Sequence, residues 1–76
     1  MEDFRLGNRL KVARAEKSLS QSQLARLVEV TRQTISSIET QQYCPSTLLA
    51  FRLSKALERR VDELFFLEKG GTDGDR

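Results

Sequence analysis

Histidine is absent from this sequence, and cysteine occurs once, at Cys44. A structural zinc needs four ligands drawn mainly from those two residues, so no metal site is expected. A lone thiol cannot close an intrachain disulfide. No glycine-rich phosphate loop and no base beside Cys44 is visible, so neither a catalytic constellation nor a cofactor site is expected. No run of roughly 18 apolar residues exists to cross a membrane. The start, Met1-Glu2-Asp3-Phe4, lacks a signal-peptide pattern, which makes the cytoplasm the expected location.

With 76 residues, the chain has room for one small domain. Such a domain buries only about 60% of its extended surface, so short packed helices are its natural form. The net charge is +2. The last nine residues carry three acids against two bases, so the positive excess sits in the body. Much of it lies in Arg5, Arg9, Lys11, Arg14 and Lys17. Such a balance is weak evidence for an anionic partner.

Glycine and proline are scarce before the end, and apolar residues recur at helical spacing. Segment 5–17 puts Leu6, Leu10 and Ala13 on one stripe, with Ser18 as its stop. Ser20 with Gln23 forms a capping box for a second helix carrying Leu24, Ala25 and Val28. Thr31 caps a third, from about Arg32 to Thr40, with Ile35 and Ile38 inward. Gln41-Gln42-Tyr43-Cys44-Pro45 reads as a loop. Ser46 caps a fourth helix with Leu49, Leu53, Ala56 and Leu57 inward. A short fifth starts near Asp62 and carries Leu64, Phe65, Phe66 and Leu67. The expectation is an all-α, compact five-helix domain over 1–67, followed by a flexible tail, 68–76.

The stretch 21–40 is the informative one. Its two helices are joined by about three residues, Glu29-Val30-Thr31, too few for antiparallel packing. They must cross steeply, with Ala25 at the contact and Val30 plugging the turn. At about 100° per residue, Arg32, Ser36, Thr40, Gln33 and Ser37 share an arc of roughly 140°, opposite Ile35 and Ile38. Every residue of that arc can donate a hydrogen bond and none is acidic. Glu39 falls on the seam with the core. An arginine can pair bidentately with guanine, and a glutamine with adenine, in a major groove. Gln21, at the start of the preceding helix, is placed to donate to a phosphate. The partner expected from this face is double-stranded DNA.

Several spaced motifs agree in order: Asn8-Arg9-Leu10-Lys11, Ser20-Gln21-x-Gln23-Leu24-Ala25, Thr31-Arg32-Gln33-Thr34-Ile35-Ser36-x-Ile38-Glu39, Pro45-Ser46, Leu53-x-Lys55-Ala56-Leu57 and Val61-Asp62-Glu63-Leu64-Phe65. Over about residues 5–67 the chain resembles the lambda/P22/434 repressor-like helix-turn-helix regulators, the Xre or Cro/C1 type. The resemblance implies a sequence-specific transcriptional regulator, a repressor, whose third helix enters the major groove. By position, Arg32, Gln33 and Ser37 match base-reading sites, with Ser36 close by. Gln21 matches a phosphate contact, and Gln41, Gln42 and Tyr43 match a backbone-contacting loop. Arg9 and Thr31 are added as candidate backbone contacts. Arg14 and Glu39 match a partly buried ion pair between the first and third helices. The pattern usually has glycine where Ser18, Glu29, Gln41 and Glu58 stand. If Glu29 takes a positive φ, the cost is on the order of 1 kcal/mol. Relatives that carry a second sensor domain have no counterpart in a chain this short.

Some positions stay open between two roles. Tyr43 either touches the DNA backbone or covers the core. Lys11 either steers DNA or is a solvated surface charge. Phe66 and Leu67 are either a dimer patch, since such regulators read two half-sites, or pack under the first helix against Phe4 or Leu6. A homodimer is the expected assembly. Two other functions fit the fold. One is an antitoxin or phage regulator whose main partner is a protein. The other is an architectural DNA binder, sensitive to salt and hardly to sequence.

Overall fold

The computed structural model describes residues 3–69. The chain runs β1 (Phe4–Asn8), α1 (Leu10–Glu16), α2 (Gln21–Leu27), α3 (Arg32–Glu39), α4 (Thr47–Leu57), α5 (Val61–Leu64) and β2 (Phe65–Lys69). Among the described residues there are five helices, and α2-turn-α3 falls within 21–40, but the all-α expectation needs correction. β1 and β2 pair antiparallel, with Leu6 opposite Leu67 and Gly7 opposite Phe66.

Residues 5–8 therefore do not extend α1, and the fifth helix stops before Phe65. A short apolar run satisfies helical spacing and strand alternation alike, and neither segment is long enough to hold a helix unaided. Brought together, the two exchange backbone hydrogen bonds and sort their side chains by face. Phe65 drops into the core at 7% exposure. Phe66 points to the other face and lies across Gly7. A Cβ on Gly7 would stand 2.3 Å from the Phe66 ring, so only glycine lets the ring settle there. β2 runs through Lys69, two residues into the expected tail. Residues 70–76 of that tail lie outside the described residues.

The helices start where side chains can satisfy open backbone N–H groups. Ser20 and Gln23 form the reciprocal box on α2. Thr31 accepts from the Thr34 amide, and Ser46 from the Leu49 amide. Asn8 Oδ1 accepts from the Leu10 amide at the start of α1. After α1, α2, α3 and α4 the chain turns through positive φ at Ser18, Glu29, Gln41 and Glu58, with values of 56°, 65°, 65° and 57°. These are the four positions where the sequence lacks the usual glycine.

One core joins all the helices. Leu10 of α1, Leu24 and Ala25 of α2, Ile35 and Ile38 of α3, Leu53 and Leu57 of α4 and Leu64 of α5 are all buried. Val28 closes α2 onto the same cluster, and Val30 of the turn packs against it half-buried. The Val30 amide donates to the Ala25 carbonyl, which closes the turn against α2. The core thus grips the inner edge of α3 and leaves its outer face to solvent.

Candidate nucleic-acid interface

Ile35 and Ile38, at 0% and 1% exposure, fix the rotation of α3. That rotation leaves Arg32 and Gln33 exposed and Ser36 and Ser37 half-buried. The Gln33 amide donates to Ser37 Oγ one turn on, at 3.3 Å. Thr40 turns back to the Ser36 carbonyl and ends the helix. The face is polar, without an acid, and carries one cation, Arg32.

Arg32 is held from below. Its Nη1 donates to Gln21 Oε1 at 3.3 Å. Gln21 Nε2 in turn donates to Glu39 Oε1 at 3.0 Å. Glu39 accepts from Arg14 Nε at 2.8 Å and from Nη2 at 3.3 Å. Arg14 Nη1 also donates to the Leu19 carbonyl. The Arg14 and Glu39 side chains are 14% and 6% exposed, so this pair is largely out of water. A buried carboxylate needs its oxygens satisfied, and these three side-chain donors satisfy both. A continuous chain of contacts therefore runs from α1 through α3 and α2 to the arginine at the start of α3.

Two further side chains tie α3 to the hairpin, and sequence reasoning gave neither this task. Asn8 Nδ2 donates to the Ile38 carbonyl at 2.9 Å. Gln41 Nε2 donates to the Leu6 carbonyl at 3.1 Å and to Glu68 Oε1 at 2.9 Å. The loop contact expected of Gln41 is thus directed inward. Asn8 stands in the motif that carries the family resemblance. Its role became visible only once β1 was placed beside the end of α3.

The remaining candidates are spread around this core. Thr31 spends its hydroxyl on the α3 cap and Thr34. Gln42 and Tyr43 are exposed in the α3–α4 loop. The Arg9 guanidinium lies 4.6 Å from the Phe66 ring centroid, a cation–π contact. That ring is thereby covered within its own chain, whereas Leu67 is 70% exposed. Most other cations also have an internal partner. Arg5 meets Glu68, Lys17 meets Glu58, Arg52 meets Glu29, Arg59 meets Glu16 and Arg60 meets Asp62.

A family profile described as Helix-turn-helix matches residues 10–64, most of the chain and all five helices. The chain belongs to the Cro/C1-type helix-turn-helix family. It is similar to an uncharacterized HTH-type transcriptional regulator, YgzD, of Bacillus subtilis, with 42% identity over 62 residues, 82% of this chain and 94% of that one. A second such regulator, from Methanothermobacter thermautotrophicus, is 44% identical over 59 residues, covering 76% and 86% of the two chains. Among solved structures, the restriction-modification controller protein C.AhdI from Aeromonas hydrophila superposes with a TM-score of 0.69 at 33% identity, covering 72% of this chain and 83% of that one. The clp gene regulator ClgR from Corynebacterium glutamicum gives 0.68 at 26% identity, covering 71% and 57%. In this Cro/C1-type chain the family match spans the whole helical body and leaves both strands of the hairpin outside it. Among the described residues, no helix is long and apolar enough to cross a membrane.

Proposed function

We propose that this DNA-binding transcriptional regulator reads a short duplex site by laying α3 in the major groove and represses from it. Arg32 and Gln33 read base edges directly, and the short Ser36 and Ser37 let the helix sit deep. The observation that carries this reading is the anchored Arg32. It is aimed outward from an acid-free face by Gln21, itself fixed by the buried Arg14–Glu39 pair. Gln21 keeps a second amide hydrogen for a phosphate oxygen at the start of α2. Thr31, Gln42 and Tyr43 add backbone contacts at either end of α3, and Arg9 reaches the backbone only by leaving the Phe66 ring. Gln41 serves the same surface indirectly, by fixing the loop to the hairpin.

The regulator works as a homodimer on two half-sites about one helical turn apart. Exposed Phe4, Tyr43 and Leu67 border one groove of about 420 Å³ on the hairpin, next to the α3–α4 loop. A second copy seated there covers apolar surface that a lone monomer leaves wet. Selection from a random duplex library by the purified protein tests the whole reading. A two-fold-related enriched motif is the expected outcome. Equal recovery of all sequences, with binding that responds to salt alone, refutes it.

A further inference from the structure

A second apolar surface lies away from α3 and the hairpin. The C-terminal end of α2 and the outer side of α4 enclose a groove of about 350 Å³, lined by Leu27, Val28, Glu29, Arg52, Lys55 and Ala56. Val28 closes its floor, and Leu27 stands at its edge 60% exposed. Leu48, Phe51, Arg52 and Lys55 lie three or four residues apart and so share one side of α4. Leu48 is 61% and Phe51 59% exposed. Three large apolar side chains on one small domain, all more than half in water, make up a surface that favours a partner.

The charges around it indicate which partner. Two cations, Arg52 and Lys55, flank the groove against one acid, Glu29. The one ion pair there among the described residues is slack, with Arg52 Nη1 3.9 Å from Glu29 Oε1. Among the described residues, Lys55 has no ion-pair or side-chain hydrogen-bond partner. An occupant that offers apolar side chains on one stripe and carboxylates beside it meets both features. An amphipathic helix supplies that arrangement through residues i, i+3, i+4 and i+7. We propose that this groove docks an acidic amphipathic helix of another protein. None of the lining residues belongs to α3. The inference does not depend on how α3 reads DNA.

Two synthetic peptides of about 18 residues, long enough to hold a helix, test it. Both carry leucine at i, i+3, i+4 and i+7. One has glutamate and its twin has lysine at the flanking positions. Each is titrated into the ¹⁵N-labelled full chain, and amide shifts are followed. The acidic peptide is expected to move Leu27, Val28, Arg52, Lys55 and Ala56, and the basic twin to leave them in place. Arg52→Glu with Lys55→Glu should weaken the acidic peptide roughly tenfold and favour the twin. Both substitutions are at exposed positions, and an unchanged amide spectrum elsewhere reports that the fold is kept. Shifts confined to the hairpin or α3, equal shifts from both peptides, or none at all overturn the proposal. Duplex binding by the double variant is measured in parallel. Its retention separates a failure here from a failure of the α3 reading.

Discussion

At the residue scale, the proposed reading of bases rests on few side chains. Arg32→Ala should lower discrimination at one defined base pair by about 1–3 kcal/mol. Competition binding against single-base variants of the selected site measures this, and an unchanged preference at every position excludes α3 as the reader. In the proposed reading Glu39 acts through Gln21 rather than on DNA itself. Removing one partner of a buried ion pair strands the other, so Glu39→Leu alone should cost up to about 3 kcal/mol in urea unfolding. Arg14→Met together with Glu39→Leu should recover most of that loss, because two apolar side chains can replace a desolvated pair. The double variant still lacks the acceptor for Gln21 Nε2. Its duplex affinity should therefore fall although its stability returns. Full affinity in that variant would show that Arg32 needs no support from below.

At the element scale, the helix ends carry backbone strain. Glu29 turns the chain from α2 toward α3 at φ 65°, a region L-residues enter at a cost. Among the described residues it pairs loosely with Arg52. Glu29→Gly should therefore raise stability by about 1 kcal/mol, read from the shift of the urea midpoint. Gln41 has the same φ, but its amide fixes β1 and β2 to the loop, so glycine there gives up two hydrogen bonds. The ends of α1 and α4 are joined by Lys17 and Glu58. The hydrogen bond and charge of Lys17 hold the Glu58 carboxyl below its ordinary value of 4.5. A carboxylate with a lowered folded-state pKa stabilises above its unfolded value and loses that effect as pH falls through the folded one. Glu58→Gln should therefore flatten the acid-side decline in thermal midpoint below that value and change it little at higher pH. The same decline in both proteins would show that this exposed pair is inert.

At the scale of the whole molecule, the hairpin joins the two ends of the described chain and adds a surface that the helices alone do not have. Its outward residues, Phe4 and Leu67, flank the α3–α4 loop at Tyr43. Phe66 is occupied by Arg9, so Leu67 carries the dimer proposal and Phe66 supports the strand. Leu67→Glu should convert a dimer to a monomer in light scattering while leaving the helical circular dichroism unchanged. A wild-type monomer at working concentration refutes the dimer, and an unaltered dimer in the variant moves the interface elsewhere. Because most cations are internally paired, affinity should owe more to base contacts than to net charge. The slope of log affinity against log salt measures that share.

The sequence by itself determined the starts of α2, α3 and α4, the core stripe and the polar face of α3. Each of these is local: a cap lies within three residues of the amide it serves, and apolar spacing declares a helix's buried side. The four turns at Ser18, Glu29, Gln41 and Glu58 were marked only through the family resemblance, which usually has glycine there. Tertiary structure alone decided the hairpin, because Leu6 and Leu67 are sixty-one positions apart and each run fits helix and strand equally well. It also decided how Gln21 is used. Only the crossing of α2 and α3 brings its amide between Glu39 and Arg32. Periodicity shows which face a helix buries, but which side chains from other elements meet at its edge is fixed only by packing.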